Sequence, residues 1–262
     1  MHHRLDGAGI VDVDVLDLAD RYLAAEAARL LRTEPDDADR AARAGAVEQP
    51  FGRRRGDRDA ACIVDRPGAT QTQLRVATVG APRQSPDYYA IEVMNAVLGG
   101  TFASRINMNL REEHGYTYGA GSGFAFRRGA GPFQVATGVR TDVTAPAVSE
   151  ILKEVRRMND APASAEELTL AKDGMTRSLA ADFQTSAASV GVFGNLYIYD
   201  LGLDYFRGYA SGVNAVTADQ ALAAARTYVA PGRLVVIAIG DRTRIEPGLK
   251  ELGIGPVEVF TP

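Results

Sequence analysis

The sequence predicts an α+β domain in which helices cover one face of a mainly antiparallel sheet. Three observations lead to this fold class. Two adjoining runs with alternating apolar residues flank a glycine-rich turn, which is typical of a hairpin. Between residues 144 and 228, apolar residues recur at helical spacing instead. Strands and helices do not alternate regularly, so the pattern does not favour a parallel βαβ fold.

The chain divides into three parts. Residues 34–59 are rich in Ala, Arg and Asp and lack an apolar period, which indicates a linker. The preceding residues, 1–33, contain a short apolar run, GIVDV, and then an amphipathic helix pattern. The main domain is predicted over residues 60–262. With 46% hydrophobic residues, 24% charged residues and a net charge of -4, the composition is that of an ordinary globular protein.

The main domain begins with two predicted strands, ACIVDR and QTQLRVATVG. Pro67 and Gly68 form a turn signal between them, so we expect the two strands to pair. Ser85 and Pro86 then open a helix that the glycine pair after Leu98 ends. A second, short helix is expected around residues 106–110.

The predicted hairpin consists of YTYGAGSGFAFRR and PFQVATGVR, joined through Gly129–Gly131. A long helix follows Thr144, and capping boxes are expected at Ser164 with Glu167 and at Thr217 with Gln220. The domain ends with a predicted strand, RLVVIAIG, a helix near residues 245–252 and a short strand, VEVF. The glycines of the first hairpin strand are followed by a second strand and not a helix, so they indicate close approach by another backbone instead of a nucleotide site.

Several functions are disfavoured by composition. A single cysteine, Cys62, permits no internal disulfide. The 29 basic residues are outnumbered by 33 acidic ones, so the chain lacks the excess of positive charge that is typical of nucleic-acid-binding proteins. The longest apolar runs are shorter than a membrane helix. We therefore expect no nucleic-acid partner and no membrane partner, and a cytoplasmic location unless a signal preceding this sequence directs the protein to the periplasm.

The histidines do not predict a metal site. His2 and His3 lie at the N-terminus and His114 stands alone, so no pair has the spacing of H-E-x-x-H or H-x-x-E-H. Glu112, Glu113 and His114 are consecutive, and consecutive side chains of a helix diverge by about 100°. This run indicates a solvated helix end.

Arg111 and Tyr118 form a candidate substrate site. Arg111 is placed near a helix end and Tyr118 at the start of the following strand, with Gly115 available to turn the chain between them. An arginine offers fixed donors to a carbonyl or carboxylate, and a tyrosine hydroxyl can donate to a developing oxyanion. The spacing alone favours the simpler interpretation, a solvated arginine at a helix end and a core tyrosine.

The segment from Asp87 to Val155, and with it the chain from about Ala60 to Pro262, resembles the C-terminal half-domain of the pitrilysin/insulinase family of zinc metallopeptidases, the bacterial relatives of the mitochondrial processing peptidase. LGGTFASR followed by LREEHGYTYG carries most of this resemblance. Residues 1–33 are similar to the end of a preceding half-domain. The resemblance implies a two-layer half-domain of the LuxS/MPP-like metallopeptidase type.

The same resemblance implies a function. In the family one half binds zinc through H-x-x-E-H, and the other supplies an arginine and a tyrosine, seven residues apart, that hold the peptide. Arg111 and Tyr118 match that pair, with Tyr118 as the oxyanion donor to the partner's site. We therefore expect no cofactor in this chain, zinc only on an H-x-x-E-H-bearing partner half, and no peptidase activity by the chain alone. An inactive scaffold or partner subunit and an unrelated ligand-binding module remain as alternatives.

Overall fold

The computed structural model describes residues 59–179 and 181–260. The predicted strand and helix of residues 1–33 and the predicted linker of residues 34–59 lie outside the described residues, apart from Asp59. The strands are β1 (Ala60–Asp65), β2 (Gln71–Val79), β3 (Ala120–Phe124), β4 (Pro132–Arg140), β5 (Val235–Gly240) and β6 (Val257–Phe260).

The helices lie between and after these strands. They are α1 (Tyr88–Asn95), α2 (Arg105–Asn107), α3 (Thr144–Asp160), α4 (Ala165–Ser178), α5 (Ser186–Ile198), α6 (Tyr205–Ala215), α7 (Ala218–Tyr228) and α8 (Arg242–Glu251). Two of them continue in π-helical geometry, α1 over Ala96–Gly100 and α2 over Met108–Glu113. Among the described residues, no helix combines the length and the apolarity needed to cross a membrane.

Most of the predicted elements are confirmed. The hairpin is β3 and β4, which pair antiparallel, and both capping boxes form as predicted. The helix expected from Ser85 begins three residues later, at Tyr88, because the Ser85 hydroxyl accepts a hydrogen bond from the Asp87 amide and holds a turn there.

The six strands form one mixed sheet in the order β3-β4-β2-β5-β1-β6. Three of its five strand pairs are antiparallel, whereas β1 lies parallel to both β5 and β6. The helices pack on one face, where residues from β1 through α8 share the main core. Within the described part of the chain, the smaller cluster on the opposite face consists of strand residues. The predicted two-layer α+β class with a mainly antiparallel sheet is therefore confirmed.

The predicted pairing of the first two strands is wrong. β5, which comes more than 150 residues after β2 in the chain, lies between β1 and β2. Every residue of β5 is buried, and so are five of the six in β1. Strands that are apolar on both faces require neighbours on both sides and a covered position, which the centre of the sheet provides. The turn at Gly68 reverses the chain without making its flanking strands neighbours.

Candidate functional site

The candidate site lies where the α2 segment leads into β3, at one edge of the sheet. The helical geometry ends at His114, and Gly115 adopts a positive φ of 62°, which a residue with a side chain rarely adopts. The Tyr116 amide then donates to the Leu110 carbonyl at 2.8 Å. This turn directs the chain away from the helix and toward β3.

Arg111 lies in the last turn before this reversal and remains partly exposed. Its side chain is 40% exposed, and its Nε is 3.2 Å from Glu112 Oε1. The guanidinium carbon lies 4.7 Å from the ring centroid of Phe102, which is itself exposed. Stacking on an aromatic ring uses the face of the guanidinium and leaves N–H donors at its edge. Arg111 is therefore oriented but can still donate hydrogen bonds.

Tyr118 is almost fully exposed, at 93% of its surface. Within the described residues, its hydroxyl makes no hydrogen bond. The preceding residue, Thr117, is anchored: its Oγ1 lies 2.8 Å from the Gly138 carbonyl oxygen and 3.0 Å from Thr137 Oγ1. A fixed backbone thus presents a phenol to solvent, and a core role for Tyr118 is excluded.

The structure places Arg111 and Tyr118 on one short exposed segment but does not join them. In the described part of the chain, no hydrogen bond or ring contact connects the two side chains. Each is positioned by different neighbours, Arg111 by Phe102 and Tyr118 through Thr117. Any common ligand would therefore bridge them from outside the segment.

Sequence reasoning missed Asn107, which connects the two parts of the site. This buried side chain donates through Nδ2 to the Phe102 carbonyl at 2.7 Å and accepts through Oδ1 from the Ala120 amide at 3.0 Å. It therefore ties the loop that carries the stacking partner of Arg111 to the strand that follows Tyr118. The sequence signal for it is a pair of amides, Asn107 and Asn109, between the apolar residues Ile106 and Leu110.

A second asparagine covers the same strand edge. Asn95 donates to the Ser122 carbonyl at 3.3 Å and accepts from the Ser122 hydroxyl at 2.7 Å. A Cβ added to Gly99 would fall 2.8 Å from the Ser122 amide nitrogen, and one added to Gly121 would lie 3.4 Å from the Gly99 carbonyl oxygen. Close approach thus requires a glycine at Gly99, whereas the glycines of β3 itself make at most ordinary contacts. Two amide side chains occupy the outer edge of β3.

Arg105, in the TFASR part of the motif, anchors the start of the site. Its Nε and Nη2 donate to the two carboxylate oxygens of Glu167 at 2.7 Å each. Glu167 also accepts from the Ser164 amide in the capping box of α4. The Arg105 guanidinium, with the capping interactions, holds the pKa of the Glu167 carboxyl below its usual range.

His114 stacks on the Tyr116 ring, with centroids 4.9 Å apart, and its Nε2 lies 3.7 Å from Glu150 Oε2. The Lys153 ammonium, which donates to Glu150, lowers the pKa of that carboxyl. Among residues 59–179 and 181–260, no group of three histidine, cysteine or carboxylate side chains could hold a metal ion. The residues around His114 therefore do not fit a zinc site.

Comparison with known proteins gives one family and a consistent fold. A family model described as the peptidase M16 inactive domain matches residues 8–175. No curated protein sequence matches the chain. The solved structure of a peptidase M16 inactive domain from Pseudomonas fluorescens is 26% identical with a TM-score of 0.65, and the match covers 70% of this chain and 44% of that one.

Two further solved structures share the fold at lower identity. A protease from Helicobacter pylori is 15% identical with a TM-score of 0.64, with 74% of this chain and 47% of that chain covered. A chain of complex III2 from Candida albicans, with Inz-5 bound, is 15% identical with a TM-score of 0.61 and coverages of 75% and 49%. The match thus spans less than half the length of each of these three solved chains.

Proposed function

The chain belongs to the peptidase M16 inactive domain family, and we propose that it is the substrate-binding half of a zinc peptidase. It is the C-terminal type of half-domain, the non-catalytic half of the pitrilysin/insulinase architecture. The proposal goes further by giving this half a peptide substrate and a partner half that carries H-x-x-E-H. No cofactor is assigned to this chain.

The exposure of Tyr118 is the observation that carries the proposal. A tyrosine that is 93% exposed contributes little to the core, and its hydroxyl has no hydrogen-bond partner among the described residues. Its backbone is nevertheless held by Thr117, and an anchored amide, Asn107, lies on the other side of the segment. A side chain that is fixed at its base and free at its tip is suited to bind a group outside this chain.

The two residues would act on different parts of the peptide. A zinc ion on the partner half would supply a Lewis acid and an activated water. Tyr118 would donate its hydroxyl proton in a hydrogen bond to the carbonyl oxygen where negative charge develops, an interaction that is strongest in the transition state. Arg111 would donate to a neighbouring carbonyl and fix the register of the peptide.

Reconstitution tests this assignment. The chain is mixed with H-x-x-E-H proteins of its source organism, complexes are isolated by size exclusion, and cleavage of an internally quenched peptide is measured. Tyr118→Phe should lower kcat roughly 100-fold to 1000-fold, since that is the typical cost of losing one oxyanion donor. Arg111→Ala should chiefly raise KM. Tyr197→Phe is the matched control, because Tyr197 is 71% exposed on α5 and remote in sequence from the motif.

Each other result contradicts the proposal. A complex that cleaves no peptide would identify a scaffold subunit. Failure to associate with any H-x-x-E-H protein would favour a separate ligand-binding module. Wild-type kinetics for both Tyr118→Phe and Arg111→Ala, with unchanged thermal melts, would remove these residues from the substrate site.

A further inference from the structure

A cavity of about 520 Å³ lies between α1, α4, α5 and α6. Part of its wall is aromatic and consists of Tyr88, Tyr205, Phe206 and Tyr209. Neither Arg111 nor Tyr118 lines it, so it is separate from the candidate peptide site. Cavities of this volume hold small organic ligands up to drug size.

One positive charge faces this cavity. The Arg83 guanidinium carbon lies 3.7 Å from the Tyr88 ring centroid and 5.0 Å from that of Tyr205. In the part of the chain that the structure describes, no carboxylate pairs with this guanidinium. The two rings contact its face, which leaves its in-plane N–H donors available to an anionic group.

One carboxyl group, that of Glu92, faces the same cavity. The Glu92 side chain is partly buried and lines the cavity, and among residues 59–179 and 181–260 it makes neither a hydrogen bond nor an ion pair. Burial raises the pKa of its carboxyl to about 7, and the neighbouring Arg83 offsets only part of that effect. Burial likewise raises the pKa of the Tyr88 phenol, so this wall stays neutral.

Arg83 and Glu92 are partly buried, line one cavity and are not paired with each other, so both remain available to groups of a ligand. A purely cationic ligand would satisfy Glu92 but face the Arg83 guanidinium, and a purely anionic ligand would face Glu92. A ligand with both charges satisfies both residues, and the aromatic wall suits an apolar body between or beside them.

We propose that this cavity binds a zwitterionic small molecule of the free amino acid class, with an apolar or aromatic side chain. Its ammonium group pairs with Glu92, its carboxylate pairs with Arg83, and its side chain packs among the aromatic rings. The site requires no partner half and no peptide cleavage, so its existence is independent of the function proposed above.

Binding to the purified full chain tests this. The twenty L-amino acids are screened by thermal shift, and the one giving the largest shift is titrated by calorimetry. Its decarboxylated amine and its deaminated acid, which each keep one charge and the same side chain, are titrated alongside. The amino acid should bind roughly 10-fold to 100-fold more tightly than either analogue, the range expected when one charged hydrogen-bonding partner is lost.

Two variants locate the site. Glu92→Gln and Arg83→Gln should each weaken amino acid binding roughly tenfold or more. Glu251→Gln and Arg177→Gln remove the same charges from positions that do not line the cavity and should leave binding unchanged. Circular dichroism melts establish that each variant is folded.

Three results would overturn the proposal. These are the absence of a shift with every amino acid, an analogue with a single charge that binds as tightly as its parent, and equal affinity in wild type and in folded Glu92→Gln. A preference for the amine would identify an organic-cation site instead.

Discussion

Charged side chains are paired in one region of this half-domain and unpaired in a neighbouring one. In the region that supports the candidate site, Arg105 pairs with Glu167 through two hydrogen bonds, and Asn109 and Arg157 both donate to Glu154. In the cavity, the charges of Glu92 and Arg83 face one space without such partners in the described structure.

The carboxyl pKa values follow this difference. Arg105 lowers the pKa of Glu167, whereas burial raises that of Glu92 to about 7. Removing one partner of a buried pair leaves an uncompensated charge and destabilises the fold, whereas a charge that is already unpaired costs stability that a ligand can recover. The first region is thus built to hold exposed residues in position, and the second retains the properties of a binding site.

The largest change in stability is expected from breaking the Arg105–Glu167 pair in the region that supports the candidate site, called here the paired region. Glu167→Gln leaves the buried Arg105 guanidinium without its counter-charge and should lower the free energy of unfolding by roughly 2–4 kcal/mol at pH 7. Because the folded-state pKa of Glu167 is lowered, its contribution is present above the ordinary value of 4.5 and is lost as pH falls through the folded-state pKa. Urea unfolding at pH 7 and pH 3 should show the difference shrinking.

Asp173→Asn is the control for this variant, since Asp173 pairs with Arg177 on the exposed face of the same helix. An exposed pair contributes at most about 1 kcal/mol. Equal losses in Glu167→Gln and Asp173→Asn would show that the two pairs do not differ in strength.

In the cavity, removing the carboxylate should raise the free energy of unfolding instead of lowering it. Because the folded-state pKa of Glu92 is raised from 4.5 to about 7, the folded state binds more protons in that range and wild-type stability falls as pH rises through it. Arg83 and Tyr88 interact electrostatically with the carboxyl, and Tyr205 and Tyr209 line the same cavity. Glu92→Gln removes the ionisable group and should therefore stabilise the ligand-free protein at pH 8.

The size of this gain is at most about 3 kcal/mol, and partial exposure of the carboxyl reduces it. At pH 4, where Glu92 is mostly protonated in both the folded and the unfolded state, wild type and Glu92→Gln should unfold at nearly the same urea concentration. Parallel stability curves from pH 4 to pH 8 would show that Glu92 is solvated in the folded protein.

The smallest change in stability is expected for Asn107→Ala, a variant that tests how buried polar contacts hold the site in position. Asn107→Ala leaves the Ala120 amide and the Phe102 carbonyl without their partner and should cost about 2 kcal/mol. Hydrogen exchange should accelerate at the Ala120 amide and much less at Ala125, whose amide donates to the Pro132 carbonyl across the hairpin. Asn214→Ala, at an exposed position, is the control. Uniform acceleration at both amides would indicate global destabilisation instead.

Local signals accounted for most of the elements. The hairpin of β3 and β4 and the capping boxes at Ser164 and Thr217 were predictable because each depends on residues close in sequence. The family motif likewise depends on adjacent residues. The pairing of β1 with β2 was wrong because strand order depends on β5, whose place in the sheet no nearby residue encodes.

The sequence by itself determined the element types, the α+β class and the seven-residue spacing of Arg111 and Tyr118, since periodicity, capping and spacing are properties of short segments. Only the tertiary structure decided that Tyr118 is exposed, that Asn107 ties the Phe102 loop to β3, and that Glu92 and Arg83 share one cavity. Those properties depend on which distant segments pack together, and burial and charge pairing arise only when packing excludes water from between them.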